Sequence, residues 1–148
     1  MSIFPTRILL ATDGSEDARL ANETAVDLAK STNSELHVIT VGGGQPDPAY
    51  YLETAVTYEQ AYEAIKREAQ DILDKQLKHI EELGGEVAGS YVRQGDRARE
   101  IVRLSEELDA GLIVLGSRGL GGLKRAFMGS VSDSVVRHAH CPVMVVRR

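Results

Sequence analysis

Short aliphatic runs alternate with segments of helical spacing along the whole chain, and this alternation limits the possible folds more than any other feature. The runs are Arg7–Thr12 (RILLAT), Leu36–Val41 (LHVITV), Val87–Val92 (VAGSYV), Leu112–Leu115 (LIVL) and Val143–Val146 (VMVV). The first, fourth and fifth are almost continuously apolar, the pattern of strands buried on both faces of a parallel sheet. Between the runs, Ala18, Ala21, Ala25, Leu28 and Ala29 form one helical stripe. Tyr58, Tyr62, Ile65, Ala69, Ile72, Leu73, Leu77 and Ile80 form a longer one, closed by Gly84-Gly85. Ala98, Ile101, Val102, Ser105 and Leu108 form a third, and Val131, Val135, Val136 and Ala139 a fourth that ends before Pro142. The order βαβαβαβαβ predicts an α/β fold: an open, doubly wound, five-stranded parallel sheet with helices on both faces.

A chain of 148 residues suits a single domain spanning 1–148, and no internal repeat is visible. Seventeen basic against twenty-two acidic residues give a net charge of −5, which argues against a duplex nucleic-acid binder. It leaves room for a small anion, because one loop of an acidic protein is free to be positive. The lone Cys141 precludes an intramolecular disulfide and suits a reducing compartment. Pro5 and Arg7 interrupt the apolar start, so Met1–Leu10 is no signal-peptide core, and no run reaches membrane-spanning length. The expectation is a cytoplasmic protein with neither nucleic-acid nor membrane partners. Charges of both signs cover the outer face of the second helical segment and read as a solvated surface. The irregular stretch Gly42–Thr57, with three glycines and two prolines, is either a mobile lid or a connector without a role.

Doubly wound sheets bind ligands outside the carboxyl ends of their strands, where strand order reverses. The first strand commonly lies at that reversal beside the fourth, and unusual sequence follows both. After the first strand comes Ala11-Thr12-Asp13-Gly14-Ser15; after the fourth come Gly116, Ser117, Arg118, Gly119, Gly121 and Gly122, then Lys124, Arg125 and finally Gly129-Ser130. Glycines let successive amides approach one anion, and Gly129 opens the last helix, whose start adds free N–H groups and a positive dipole end. Ser130 or Ser132 adds a hydroxyl donor, and Arg118, Lys124 and Arg125 add charge. Phosphate is the anion that matches this set. Asp13, an acceptor at a strand end, suits ribose hydroxyls or a base amine, or else caps the following helix. Val41, ending the second strand, suits an apolar wall for a base or plain core. Neither G-x-x-x-x-G-K-[ST] nor a G-x-G-x-x-G after the first strand occurs, which weakens P-loop and dinucleotide-dehydrogenase readings.

With these residues in place the chain resembles the universal stress protein family, UspA-like, in its ATP-binding branch. That branch carries G-x-x-G, nine residues, then G followed by Ser or Thr, matched here by Gly116, Gly119, Gly129 and Ser130. The start ILLATDGS and the end CPVMVV match as well. The resemblance implies a Rossmann-like sheet in the order 3-2-1-4-5. It implies that Ala11, Thr12, Asp13 and Val41 hold the adenine end, and that Gly116, Ser117, Arg118 and Gly119 admit the ribose and first phosphates. Gly129, Ser130, Val131 and Ser132 would then hold the outer phosphates of ATP, with Mg2+ or Mn2+ bridging them and no protein side chain ligating metal. It also implies a homodimer through Pro142–Arg147 and a regulatory protein partner whose identity the sequence does not disclose.

On this reading the chain is a nucleotide-dependent regulatory or stress-response module rather than a committed enzyme. The alternative is a slow ATP hydrolase or phosphotransferase using the same crevice, which has charge to offer but no evident positioned base. A third reading, a zinc or redox site at His138, His140 and Cys141, lacks a distant fourth ligand and is outweighed by helix-end and packing roles.

Overall fold

A computed structural model of the chain describes residues 2–43, 57–117 and 128–147. Strands β1 (Arg7–Ala11), β2 (Glu35–Gly43), β3 (Val87–Gly95), β4 (Leu112–Gly116) and β5 (Val143–Val146) alternate with helices α1 (Glu16–Thr32), α2 (Tyr58–Glu82), α3 (Arg97–Glu107) and α4 (Ser130–His138). All pairings are parallel and the strand order is β3-β2-β1-β4-β5. The reversal falls between β1 and β4, where Ala11 lies beside Leu115.

Strand alternation sorts the core into two layers. Ile8, Leu10 and Val38 face α1 and α2, packing on Ala21, Ala25, Leu73 and Ile80. Leu9, Ala11, Ile39 and Val41 face α3 and α4, packing on Ala98, Ile101, Leu104 and Val135. Local chemistry sets the helix ends. Ser15 caps α1 by accepting from the Ala18 N–H, and Asn33 ends it in the left-handed region at φ 55°. Thr57 and Gln60 form a reciprocal capping box at the start of α2. Asp96 caps α3 through the Arg99 N–H, whereas the α4 cap residue, Gly129, has no side chain to offer.

Three sequence expectations change. The β5 residues are all half-buried, because an edge strand has a covered neighbour on one side only, so the apolar VMVV run is not buried on both faces. The buried strand is instead β2, whose Leu36–Gly42 are buried despite Thr40 and His37. Gly42 and Gly43 belong to β2, paired with Gln94 and Gly95 of β3, so the irregular stretch begins later; residues 44–56 lie outside the described residues. Among the described residues no helix is long and apolar enough to cross a membrane.

Polar side chains buried between α1 and α2 bond to one another, although Asn22 Oδ1 has no partner among the described residues. Asn22, 0% exposed, donates through Nδ2 to Gln76 Oε1 at 2.7 Å and lies 3.1 Å from His79 Nδ1. Thr12 Oγ1 donates to the same Gln76 oxygen at 3.3 Å, which ties the end of β1 to α2. Gln76→Leu keeps the bulk but strands two buried donors, and is expected to lower the unfolding free energy by about 1–3 kcal/mol. Urea denaturation checks it; an unchanged midpoint and slope would show that α2 is held by apolar packing alone.

Candidate functional site

The ends of β1 and β4 bring the two unusual loops together. After β1, Asp13 Oδ1 accepts the Ser15 N–H at 2.9 Å, and Gly14 turns the chain at φ 84°. Capping of α1 therefore falls to Ser15, and the second Asp13 oxygen has no partner among the described residues. Thr12 and Ala11 are buried beneath it, and the Thr12 N–H is held by the Ile39 carbonyl. Val41, 8% exposed, ends its apolar row on the α3–α4 side of the sheet.

After β4 the chain runs straight into a close contact. A Cβ on Gly116 would lie 2.8 Å from the Asp17 carbonyl carbon and 2.9 Å from the Ala18 nitrogen, so only glycine lets the strand end reach the first turn of α1. Ser117 then fixes both ends of the loop that follows. Its hydroxyl donates to Asp17 Oδ2 at 2.7 Å, and its N–H donates to the Val146 carbonyl at 2.9 Å. Its carbonyl accepts from the Gly129 N–H at 2.6 Å and from the Ser132 hydroxyl at 2.7 Å. Ser132 also donates to the Gly129 carbonyl, so its hydroxyl serves this closure and only its backbone N–H faces outward chemistry. Ser130 is exposed and Val131 half-buried at the start of α4. Arg118, Gly119, Lys124 and Arg125 lie outside the described residues.

Of the sequence-predicted site residues, Ala11, Thr12, Asp13, Gly116, Ser117, Gly129, Ser130, Val131 and Ser132 thus gather where β1, β4 and α4 meet, with Val41 one strand away. Sequence reasoning missed Asp17, which holds Ser117, and Gln76, which holds Thr12. It also missed the end of β3. There a cavity of about 420 Å³ opens between the starts of α3 and α4, lined among others by Gly43, Gly95, Arg97, Ala98, Ser130 and Val131. The signal was present as Gly95-Asp96-Arg97, a glycine and charge at another strand end.

The carboxyl-terminal histidines and Cys141 do not converge. His138 Nδ1 bonds the Ser134 carbonyl, His140 faces Glu106 at 3.1 Å, and Cys141 packs at the α3–α4 core. Burial pushes the Cys141 thiol up from its ordinary value, away from thiolate reactivity. Among the described residues no three His, Cys, Asp or Glu side chains gather as a metal site.

Known proteins bear on this geometry. The family model described as the universal stress protein family matches residues 5–147. A universal stress protein of Methanocaldococcus jannaschii is 36% identical over 142 residues, covering 96% of this chain and 82% of that protein. The Bacillus subtilis universal stress protein YxiE is 34% identical, covering 95% of this chain and 98% of that protein. Among solved structures, the universal stress protein UspA from Lactobacillus plantarum superposes with a TM-score of 0.80 at 25% identity, covering 99% of this chain and 100% of that one. Two others share the fold at lower identity. A universal stress protein in complex with cAMP has a TM-score of 0.66 at 22% identity, covering 97% of this chain and 98% of that one. The Archaeoglobus fulgidus universal stress protein in complex with dAMP has a TM-score of 0.65 at 23% identity, covering 98% of this chain and 99% of that one. The chain belongs to the universal stress protein family.

Proposed function

We propose that this protein binds ATP in the crevice between the ends of β1 and β4 and acts as a nucleotide-dependent regulatory module of a stress response. The observation that carries the reading is the closure of the glycine loop at Ser117. It sets the uncapped start of α4 beside the end of β1, where Asp13 keeps one oxygen without a partner among the described residues. In this reading Asp13 and Val41 take the base and ribose, with Ala11 and Thr12 beneath. Gly116, Ser117, Arg118 and Gly119 border the first phosphates. The N–H groups of Ser130, Val131 and Ser132, with Gly129 as an N-cap that leaves room, take the outer phosphates. In this reading Mg2+ or Mn2+ reaches the site on the phosphate oxygens. Relatives of the same fold solved with cAMP and dAMP support an adenine nucleotide as the ligand class.

Calorimetric titration of nucleotide-free protein with Mg-ATP is expected to give saturable binding, one per chain, with weaker binding of GTP. No heat from a folded sample would remove ATP as the ligand.

Ser130→Asp separates the site from the fold. A carboxylate in the first turn of α4 favours the helix dipole, raising stability by about 0.3–1 kcal/mol, while repelling phosphate from the same amides. The expected result is an equal or higher melting temperature with ATP binding lost. Retained ATP affinity would move the phosphates away from α4.

We further propose a homodimer through the outer edge of β5. The Pro142 and Val146 carbonyls face β4, accepting from Ile113 and Ser117, so the backbone groups of Val143 and Val145 face the free edge. Val145→Pro removes one outward N–H while leaving the β4 ladder intact, a substitution that edge strands tolerate. Light scattering is expected to report a dimer for the parent protein and a monomer for this variant. A parent protein that scatters as a monomer would refute the pairing.

A further inference from the structure

We propose that Arg97, at the end of β3, is a further ligand-contacting residue, and that it makes the cleft select phosphorylated ligands over the bare nucleoside. The inference rests on the nucleotide reading above and assigns a residue outside the two loops that define it.

Arg97 is the first residue of α3, and its guanidinium lies on the backbone of Gly43. A Cβ at Gly43 would be 3.0 Å from Nη2 and 3.3 Å from Cζ, so glycine leaves this platform open. Among the described residues the side chain makes one hydrogen bond, from Nε to the Val41 carbonyl, which at 3.4 Å is long and therefore weak. No carboxylate within ion-pair distance of Arg97 occurs among the described residues, although Asp96 and Glu100 lie within one turn of it in sequence. Asp96 accepts the Arg99 N–H and caps the helix. Glu100 pairs with Arg93 and Arg103, and Glu107 pairs with Arg93. The neighbouring carboxylates are thus occupied, and the guanidinium points a free fork of donors at the cavity.

Across the cavity stand Ser130 and Val131 at the start of α4. The cavity volume of about 420 Å³ lies in the range typical of small-ligand pockets, about 300–1,000 Å³. A phosphoryl group held at α4 would face Arg97 over this gap. A planar guanidinium forms paired, charge-assisted bonds with phosphoryl oxygens that a neutral ligand is unable to return. Giving up the long bond to Val41 costs little, so the side chain is free to turn toward the ligand. Arg97 contributes nothing to binding a nucleoside and a charge-assisted contact to binding its phosphates.

The test compares the parent protein with Arg97→Gln and Arg97→Lys, each titrated with Mg-ATP, AMP, adenosine and inorganic tripolyphosphate. Gln retains a polar chain without the charge, Lys keeps the charge on a chain of nearly the original reach, and circular dichroism verifies that the exposed position leaves the fold unchanged. The expected result is about a tenfold loss of ATP and tripolyphosphate affinity in Arg97→Gln, equivalent to about 1.4 kcal/mol, with adenosine affinity unchanged. Arg97→Lys is expected to lose less. Equal ATP affinity in all three proteins, or equal losses for ATP and adenosine, would overturn the assignment while leaving the nucleotide reading intact. Tripolyphosphate binding that depends on Arg97 in a protein that ignores ATP would sustain the assignment and overturn the nucleotide reading. A parent protein that binds neither ligand overturns both.

Discussion

The closure of Ser117 against its neighbours is the contact on which the rest of the site depends. One residue joins the end of β4 to the first turn of α1 through Asp17, to β5 through the Val146 carbonyl, and to the start of α4 through Gly129 and Ser132. Every partner is buried or part of a strand or helix end, so the hydrogen bonds are shielded from competing water. The twelve positions from Ser117 to Gly129 would otherwise leave a long connection free to place α4 anywhere along the sheet edge. Closed in this way, the loop leaves from and returns to one point. The N–H groups that begin α4 are then held in place by the fold, whatever the loop itself does. The Gly116 contact belongs to the same device, since Ser117 reaches Asp17 only because the strand end lies against α1 without a side chain between.

The two faces of the sheet are built differently. On the α1–α2 face, polar residues lie inside the apolar layer: Asn22, Gln76, His79 and Thr12 bond to one another. Directional contacts of this kind set the rotation and height of the long α2 against β1 more tightly than alanines alone, because an offset leaves buried donors unpaired. On the α3–α4 face the core is largely apolar, though His37 and Ser105 are buried there, and a cavity opens at its carboxyl end beside Arg97. In the proposed reading, the base end of the crevice rests on the pinned face through Thr12, and the phosphate end opens on the other.

How much of this was legible in the sequence differs by element for physical reasons. The five strands followed from aliphatic runs alternating with helical stripes, because burial imposes those periods directly, while the reversal between β1 and β4 followed from the habit of doubly wound sheets and from the family resemblance. The burial of β5 was misread because an apolar run carries no sign of its position at an edge; covering by a neighbour is a property of topology, not of composition. His37 and Thr40 made β2 look less buried than it is. His37 is accommodated by Glu35 and Tyr91, partners two and fifty-four residues away that no local pattern reveals. Asp13 was legible as a ligand acceptor or a cap. The capping alternative fell to Ser15, whose hydroxyl reaches the Ala18 N–H. Asp17 and Gln76 were invisible, since each acts on a residue at least 64 positions away.

The end of β3 extends the same logic. Ligands gather at carboxyl ends of parallel strands because the helices that follow present their N–H groups there, and β3 is followed by α3 as β4 is followed by α4. The two helix starts differ in what satisfies them. At α3, Asp96 supplies an internal anion, so its amides have no need of a ligand. At α4, Gly129 supplies none, and the proposed phosphate would take the place that a side chain fills at α3. Capping α3 has a second consequence. The carboxylate nearest Arg97 in sequence is turned toward the Arg99 N–H, which keeps the guanidinium from being neutralised within its own turn. The aspartate that closes one helix start to ligands thereby leaves a cation available to the other, and the cleft acquires its polarity from the pair rather than from the protein's net charge, which is negative.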